Sequence, residues 1–288
     1  MKKQKILGFI FLILTVIMWG ASFISIKITL KALPPLSLAF VRYFIASIIL
    51  YSVHKIKNPN EKLKKEDIKL MSLGGILGIT LYFFFENNGI DRISPNEASI
   101  IMATLPVAAI IGDFFAYKTK LNLKKIMSVI ISLVGVYFAI GGTSGISGNA
   151  TGYLLMLGAV ASWVIYMLIT KPLFEKYSDG AIAAYQSIFG TLAFIPFLGL
   201  ETINWQLFDT TLILNLIYLS VFCSAFASYF YVTAMNSLGV TVSSIAMNMI
   251  PVTTILFSFL IFKEVPSFIQ IIGSLLVIIS ICMANSKE

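Results

Sequence analysis

Four ionisable side chains lie within long apolar stretches of the chain: Lys27, Arg42, Glu86 and Asp113. An ion at the centre of a lipid bilayer costs at least ~2.5–3.5 kcal/mol unless it faces protein or water. These residues are therefore the first candidates for binding a charged group or a proton. We interpret Asp113 as structural, because it lies about one turn inside the end of its stretch, within reach of a Lys partner.

Glu86 has two interpretations. It follows Tyr82 by four residues and so shares its helical face. It is either a site for a substrate cation or a coupled proton, or a carboxylate near the outer membrane surface that reaches water or pairs with Arg42. Lys27 and Arg42 likewise either extend long stems to that surface or form a candidate outer gate with Glu86 or Asp91.

The composition indicates that most of the chain is surrounded by lipid and not by water. The 288 residues are 58% hydrophobic and only 12% charged, with a mean hydropathy of +0.91, whereas soluble domains carry roughly 25% charged residues. The chain is therefore predicted to be an integral membrane protein. The net charge of +8 does not indicate nucleic-acid binding, because the Lys residues fall in short segments between apolar runs.

Catalytic, metal and cofactor sites are not indicated. Cys223 and Cys282 lie in separate apolar runs, and we interpret them as small buried hydrophobic residues. The sequence has no His, Cys or carboxylate cluster with metal-ligand spacing and no phosphate-binding Gly loop. The apolar spans carry no clustered carboxylates and no nucleophile–base pair, so we expect neither an enzyme nor a cofactor.

A transmembrane helix needs ~20 mostly apolar residues, and the chain offers ten such segments. They are residues 6–30, 36–55, 68–90, 94–117, 124–141, 151–171, 180–199, 211–236, 240–262 and 266–284. With a cytoplasmic N-terminus, this count leaves 16 of the 21 Lys and Arg residues on the cytoplasmic side. Positive charge accumulates on that side, so both termini are predicted to be cytoplasmic in a cell (plasma) membrane protein.

The chain also contains two related halves. Trp19 matches Trp163 at an offset of 144 residues, and Pro106 matches Pro251 at an offset of 145. Five spans per half is an odd number, so the two copies must run in opposite orientations, as in many secondary transporters.

The predicted fold is thus an all-α integral membrane protein with ten transmembrane helices built as two inverted five-helix repeats. Its parts are a first repeat (1–141), a Gly/Ser-rich linker (142–150) and a second repeat (151–288).

Two blocks carry a family resemblance: "WGASFISIK" in the first half and "NMIPVTTILFSFLIFKEVPSFIQIIGSLLVI" in the second. With ten spans and a duplication, they resemble EamA-type members of the drug/metabolite transporter superfamily across essentially the whole chain. The resemblance implies a ten-helix inverted-repeat carrier, commonly an exporter of amino acids or related small metabolites.

Polar and aromatic stripes at helical spacing predict which faces avoid lipid. The candidate substrate-cavity residues are Trp19, Ser22, Tyr82, Glu86, Met102, Pro106, Trp163, Tyr166, Tyr231, Ser244, Asn248 and Pro251. For any single hydroxyl residue, close helix packing is the competing explanation.

The sequence therefore predicts an alternating-access carrier of a small-molecule substrate, with Glu86 as a candidate proton-coupling residue. No ATP-binding motif is present, so any energy must come from a gradient or from the substrate itself. Carriers of nucleotide sugars or other phosphorylated metabolites, and lipid-scrambling or structural membrane proteins, stay open as alternatives. The sequence leaves open whether the chain is a monomer or a homodimer.

Overall fold

We describe the fold from a computed structural model of the chain. The structure describes residues 2–93, 98, 101–102, 104–118, 123–139, 149–250, 252–253, 256–257 and 267–285. Within these residues the secondary structure is helical, without strands. The α-helices are α1 (Lys2–Thr29), α2 (Pro35–Lys57), α3 (Ile68–Gly75), α4 (Tyr82–Ile90), α5 (Leu105–Tyr117), α6 (Leu123–Ala139), α7 (Ala150–Thr170), α8 (Asp179–Phe194), α9 (Thr210–Ile217), α10 (Ala227–Leu238), α11 (Val240–Met247) and α12 (Phe268–Asn285).

Six helical segments are long and apolar enough to cross a membrane. They are Lys3–Ser22, Pro35–Lys57, Lys65–Ile90, Ala150–Glu175, Asp179–Leu200 and Thr210–Leu238. Each corresponds to one of the predicted spans. The helices α5 and α12 are apolar but shorter, and the rest of the predicted set extends over residues outside the described ranges. The chain is thus a helical, multi-pass membrane protein, as its composition predicts.

Two of these segments contain a stretch of π-helix. One stretch joins α3 to α4 (Ile76–Leu81), and the other joins α9 to α10 (Tyr218–Phe226). π-Helical stretches are rare and concentrate at functional sites. When the first stretch is shifted along the sequence by the repeat offset of 145 residues, it falls within the second stretch. The equivalent helix of each half is therefore interrupted at the same place.

The helices around the matched prolines differ from the prediction. A continuous helix was expected over 94–117, but α5 begins at Leu105 after a turn at Thr104, whose N–H donates to Ile101 O (3.0 Å). Pro106 therefore lies in a first turn, where no N–H donor is needed. In the second half α11 ends at Met247, before a turn at Asn248, so the helix predicted over 240–262 is also interrupted.

The helices α2 and α8 pack along each other. At their crossing, the hydroxyl groups of Ser47 and Thr191 lie 2.9 Å apart. Asn58, just after α2, donates to Ser178, just before α8 (3.2 Å). The end of one helix is thus next to the start of the other, and the two run antiparallel.

A carboxylate holds each end of this antiparallel pair. Glu201 accepts hydrogen bonds from the N–H groups of Leu36 (3.0 Å) and Ser37 (2.7 Å) in the first turn of α2. At the opposite end Glu61 accepts from Ser178 N–H (2.7 Å) and Oγ (2.6 Å) before α8. Unpaired N–H groups at a helix start favour a carboxylate. We call these contacts the Glu201 clamp and the Glu61 clamp.

Further ion pairs lie near the Glu61 clamp and just after the end of α7. Lys176 Nζ donates to Asp67 Oδ1 (2.6 Å), and this hydrogen bond raises the pKa of the Lys176 ammonium above its usual value. Lys171 Nζ donates to Asp113 Oδ1 (2.7 Å), so Asp113 has the Lys partner that the sequence predicts.

Candidate functional site

Five aromatic side chains form one contiguous group where the long helices meet: Trp19, Tyr82, Trp163, Tyr166 and Tyr231. The rings of Trp19 and Trp163 are nearly perpendicular, 5.7 Å apart, and each lies 5.4–5.5 Å from Tyr231. Tyr82 and Tyr166 lie 4.7 and 5.1 Å from Trp163. Such pairs add about 0.5–1.5 kcal/mol each beyond burial. We call this group the aromatic cluster.

Hydrogen bonds fix the ring orientations. Trp19 Nε1 donates to Cys223 O in the second π-helical stretch (2.9 Å). Trp163 Nε1 donates to the Tyr231 hydroxyl oxygen (3.3 Å), whose O–H points to Met167 Sδ (3.0 Å). Buried indole and phenol groups need such partners. The π-helical backbone therefore helps to hold the aromatic cluster in place.

A cavity of about 50 Å³ lies between the aromatic cluster and the Glu201 clamp. Its polar wall is formed by Ser22, Arg42, Tyr43 and Glu86. We call it the Arg42 chamber. The volume suits one or two molecules the size of water, at roughly 30 Å³ each, and is too small for a whole metabolite.

Glu86 is a buried acid in this chamber, with only 7% of its surface exposed. The Tyr82 hydroxyl donates to its Oε1 atom at 2.6 Å, so the two side chains share a face as their spacing predicts. Among the described residues Glu86 forms no ion pair with Arg42, although both line the chamber. Glu86 therefore lies inside the protein and not at its surface.

Arg42 is also buried, with 2% of its surface exposed. Of the two alternatives for Arg42, the one in which its stem reaches the membrane surface is therefore wrong. Arg42 lies about two turns after the start of α2 at Pro35, on the face that packs against Ser224, to which its Nε donates (3.2 Å). The side chain of Lys27 and all of Pro251 lie outside the described part of the structure.

A second cavity, of about 20 Å³, lies on the other side of the aromatic cluster, toward the Glu61 clamp. Tyr166, Gln186 and Tyr231 line it, and Trp163 borders both cavities. Gln186 Nε2 donates to Thr170 Oγ1 (2.9 Å). We call it the Gln186 chamber. The aromatic cluster thus separates two small chambers that lie toward opposite ends of α2 and α8.

The other predicted cavity residues lie elsewhere. Met102 packs against two hydrophobic clusters, and Pro106 is buried in the first turn of α5. Ser244 is buried in α11 and bonds to its own helix backbone. Asn248 Nδ2 donates to Ser132 Oγ on α6 (2.7 Å). Because none of them lines either chamber, we leave them out of the candidate site.

The structure adds residues that the polar stripes did not select. Tyr43 lines both chambers, Phe83 lies beneath the Arg42 guanidinium at 4.9 Å, and Gln186 lines the second chamber. The adjacent pair Arg42–Tyr43 in an apolar span was a usable signal. Gln186, a lone amide in the span 180–199, was another.

A larger groove of about 420 Å³ lies between α1 and α12. Its wall is aliphatic, with Ile13, Ile17 and Ile278 among its members, and the side chain of Gln270 is turned to accept from Ser267 N–H (2.8 Å). Such a surface suits lipid chains and offers little to a polar solute.

Comparison with known proteins places this site in a family. The model of the EamA-like transporter family matches residues 6–141 and again residues 150–286. The chain belongs to this family. Family membership indicates a transporter with a small-molecule substrate and not an enzyme.

Several relatives align with this chain over nearly their whole length. An uncharacterized transporter of Archaeoglobus fulgidus is 28% identical over 281 residues, covering 96% of each chain. The uncharacterized transporter YetK of Bacillus subtilis is 24% identical, covering 99% of this chain and 89% of its own. A probable terminal-alkyne amino-acid exporter of Streptantibioticus cattleyicolor is 22% identical, covering 96% and 92%.

A solved crystal structure has the same fold. It superposes with a TM-score of 0.80 over 99% of this chain and 96% of that chain, at 17% sequence identity.

Proposed function

We propose that this protein is a secondary active transporter that exports amino acids or related small metabolites by alternating access. The observation that carries the proposal is the Arg42 chamber. A buried cation and a buried acid line one small cavity next to the aromatic cluster. Charged groups this deep in a membrane protein mark substrate or ion pathways.

The contacts between equivalent residues support alternating access. Trp19 contacts Trp163, and Ser47 contacts Thr191, each pair at the repeat offset of 144 residues. Equivalent residues meet when two copies are related by a two-fold axis. The antiparallel course of α2 and α8 fits copies in opposite orientations, which is how one sequence provides inward-open and outward-open states.

Within this proposal the chain has ten transmembrane helices in two inverted repeats, 1–141 and 151–288, joined by the linker 142–150. Both termini face the cytoplasm, and the membrane is the plasma membrane. The Arg42 chamber is then the outer of the two chambers, and the Gln186 chamber is the inner one.

Glu86 is the proposed proton-coupling residue. It is buried in the chamber wall and accepts a hydrogen bond from the Tyr82 hydroxyl. Its side chain can therefore bind either a proton or the cationic group of a substrate as the chamber opens and closes. Coupling of this kind needs no ATP.

A phosphorylated substrate is disfavoured. Nucleotide sugars or sugar phosphates require several cations in the site, whereas Arg42 is the single cationic residue among the described residues that line the two chambers, and Glu86 lies beside it.

The test is counterflow in proteoliposomes that contain the purified full-length chain. Liposomes are loaded with each of the twenty proteinogenic L-amino acids in turn, and uptake of the same labelled compound is measured. We expect accumulation for a subset of them. An empty result across the amino acids and a broad panel of small metabolites would contradict the proposal, with protein-free liposomes as the control.

A further inference from the structure

Arg42 has an unusual environment for a buried cation. Its Nε donates to Ser224 Oγ (3.2 Å), and the guanidinium lies 4.9 Å from the centre of the Phe83 ring. Nη1 is buried and has no hydrogen-bond partner among the described residues. No ion pair formed by the described residues includes Arg42. The guanidinium is thus held in place but not neutralised by a direct carboxylate contact.

A buried donor without a partner is costly, and a buried charge more so. Selection for stability alone would favour a neutral side chain here, since apolar residues often replace buried charges without loss. The guanidinium is planar and presents parallel N–H groups that match a carboxylate. Since Phe83 and Ser224 already fix its orientation, little side-chain freedom is lost when an anion binds.

The opposite charge in the chamber is Glu86. It lies on α4, whereas Arg42 lies on α2, and the two are not in salt-bridge contact. A ligand with an anionic group and a cationic group is complementary to this pair of side chains once the chamber opens, because each group then meets the opposite charge. The aromatic cluster borders the same cavity and offers ring faces to an ammonium group.

We propose that Arg42 binds the carboxylate of the transported substrate, so that this carrier selects zwitterions with a free carboxylate whose ammonium group is bound on the Glu86 side of the chamber. This inference rests on the proposed function and deepens it. It assigns to Arg42 a role in substrate selection and not in gating at the membrane surface.

The test compares each amino acid with its amide, which keeps the ammonium group and the side chain but lacks the carboxylate. From the counterflow panel the best-transported L-amino acid is taken, and the acid and its amide compete against its labelled form. We expect the acid to compete at least tenfold better than the amide, the size of one charge-assisted hydrogen bond. Equal competition would overturn the inference while leaving the proposed function intact.

Variants of Arg42 test whether this residue produces the preference for the acid over the amide. Arg42→Gln should remove the preference for the acid and leave competition by the amide within about twofold, and Arg42→Lys should retain part of the preference. The matched control is Arg92→Gln, which removes an exposed arginine at the end of α4 and should leave the preference unchanged. If Arg42→Gln weakens acid and amide equally, or changes neither, Arg42 is not the carboxylate site.

Two outcomes separate this inference from the proposed function. Absence of counterflow for every amino acid defeats the inference, and absence across the broad panel of small metabolites as well defeats the proposed function too. Counterflow without discrimination against amides defeats the inference alone. The acid-against-amide comparison uses the unaltered chain, so it decides the question even where Arg42→Gln fails to fold, which size-exclusion chromatography and a melting curve detect.

Discussion

Ser47 and Thr191 are 144 positions apart in the chain, and their hydroxyl oxygens are 2.9 Å apart. Each lies twelve residues after the first residue of its helix, Pro35 for α2 and Asp179 for α8. The two helices therefore cross at equivalent points. The Glu201 and Glu61 clamps repeat this relationship at the two ends, since each binds the start of the other repeat's helix.

The crossing of α2 and α8 predicts that a disulfide can join the two helices. In a background with Cys223 and Cys282 replaced, the pair Ser47→Cys and Thr191→Cys should form a disulfide under mild oxidation. A protease site inserted within 142–150 then cuts the chain between the two halves. The halves should stay together on a denaturing gel and separate after reduction. Complete separation before reduction would contradict the packing of α2 on α8.

The two clamps predict the same kind of effect on access at opposite ends of the α2–α8 pair. Glu201→Gln weakens charge-assisted bonds at the end nearer the Arg42 chamber, so a cysteine at Ser22 should react faster with a water-soluble maleimide. Glu61→Gln should do the same for a cysteine at Ser187 in the Gln186 chamber. Each variant serves as the control for the other. Identical labelling changes at both positions would argue for general loosening.

Each clamp also contributes to stability. Loss of a helix-start partner costs about 1 kcal/mol, so each Gln variant should lower the free energy of unfolding by roughly that amount. The double variant should lose about the sum, because the clamps are at opposite ends and share no residue. Thermal unfolding in detergent measures this.

Glu86 predicts how transport depends on pH. Glu86→Gln cannot bind or release a proton, so transport should lose its dependence on an imposed pH gradient. Tyr82→Phe removes only the hydroxyl donor to the carboxylate, and transport should keep its dependence on the gradient, because the carboxyl group that binds the proton is intact. Unchanged pH dependence in Glu86→Gln would rule out coupling through this residue.

Much of this site was predictable because helical spacing is local. Tyr82 and Glu86 are four residues apart and therefore meet on one helix face, and the offset between Trp19 and Trp163 marks equivalent positions. The inward direction of Arg42 was not predictable. A long side chain two turns into a helix can reach the surface or the interior, and the choice depends on Ser224, which is distant in sequence.

The helix interruption before Pro106 also escaped prediction. A proline inside an apolar run fits either a kinked continuous helix or the first turn of a new one. The neighbouring residues contain no glycine that would favour a break. The π-helical stretches leave no pattern in sequence either, because one extra residue per turn does not change composition.

Gly78 predicts a steric limit at the aromatic cluster. It lies in the first π-helical stretch, and a Cβ atom added there would lie 2.5–2.9 Å from three ring carbons of Tyr166. Both residues line the Gln186 chamber, and Tyr166 is buried against Trp163. Because Tyr166 is packed against Trp163 and faces a cavity of only about 20 Å³, Gly78→Ala should lower the free energy of unfolding by about 1–3 kcal/mol, as overpacking does.

A matched control and a compensating change sharpen that test. Gly199→Ala introduces the same methyl group where nothing lies within 4 Å, so its melting temperature should stay close to that of the unaltered chain. Replacing Tyr166 by Leu in the Gly78→Ala background should recover part of the loss, because the two changes are coupled through one contact. Equal melting temperatures for Gly78→Ala and Gly199→Ala would mean that the α3–α4 segment and α7 are not in close contact at this point.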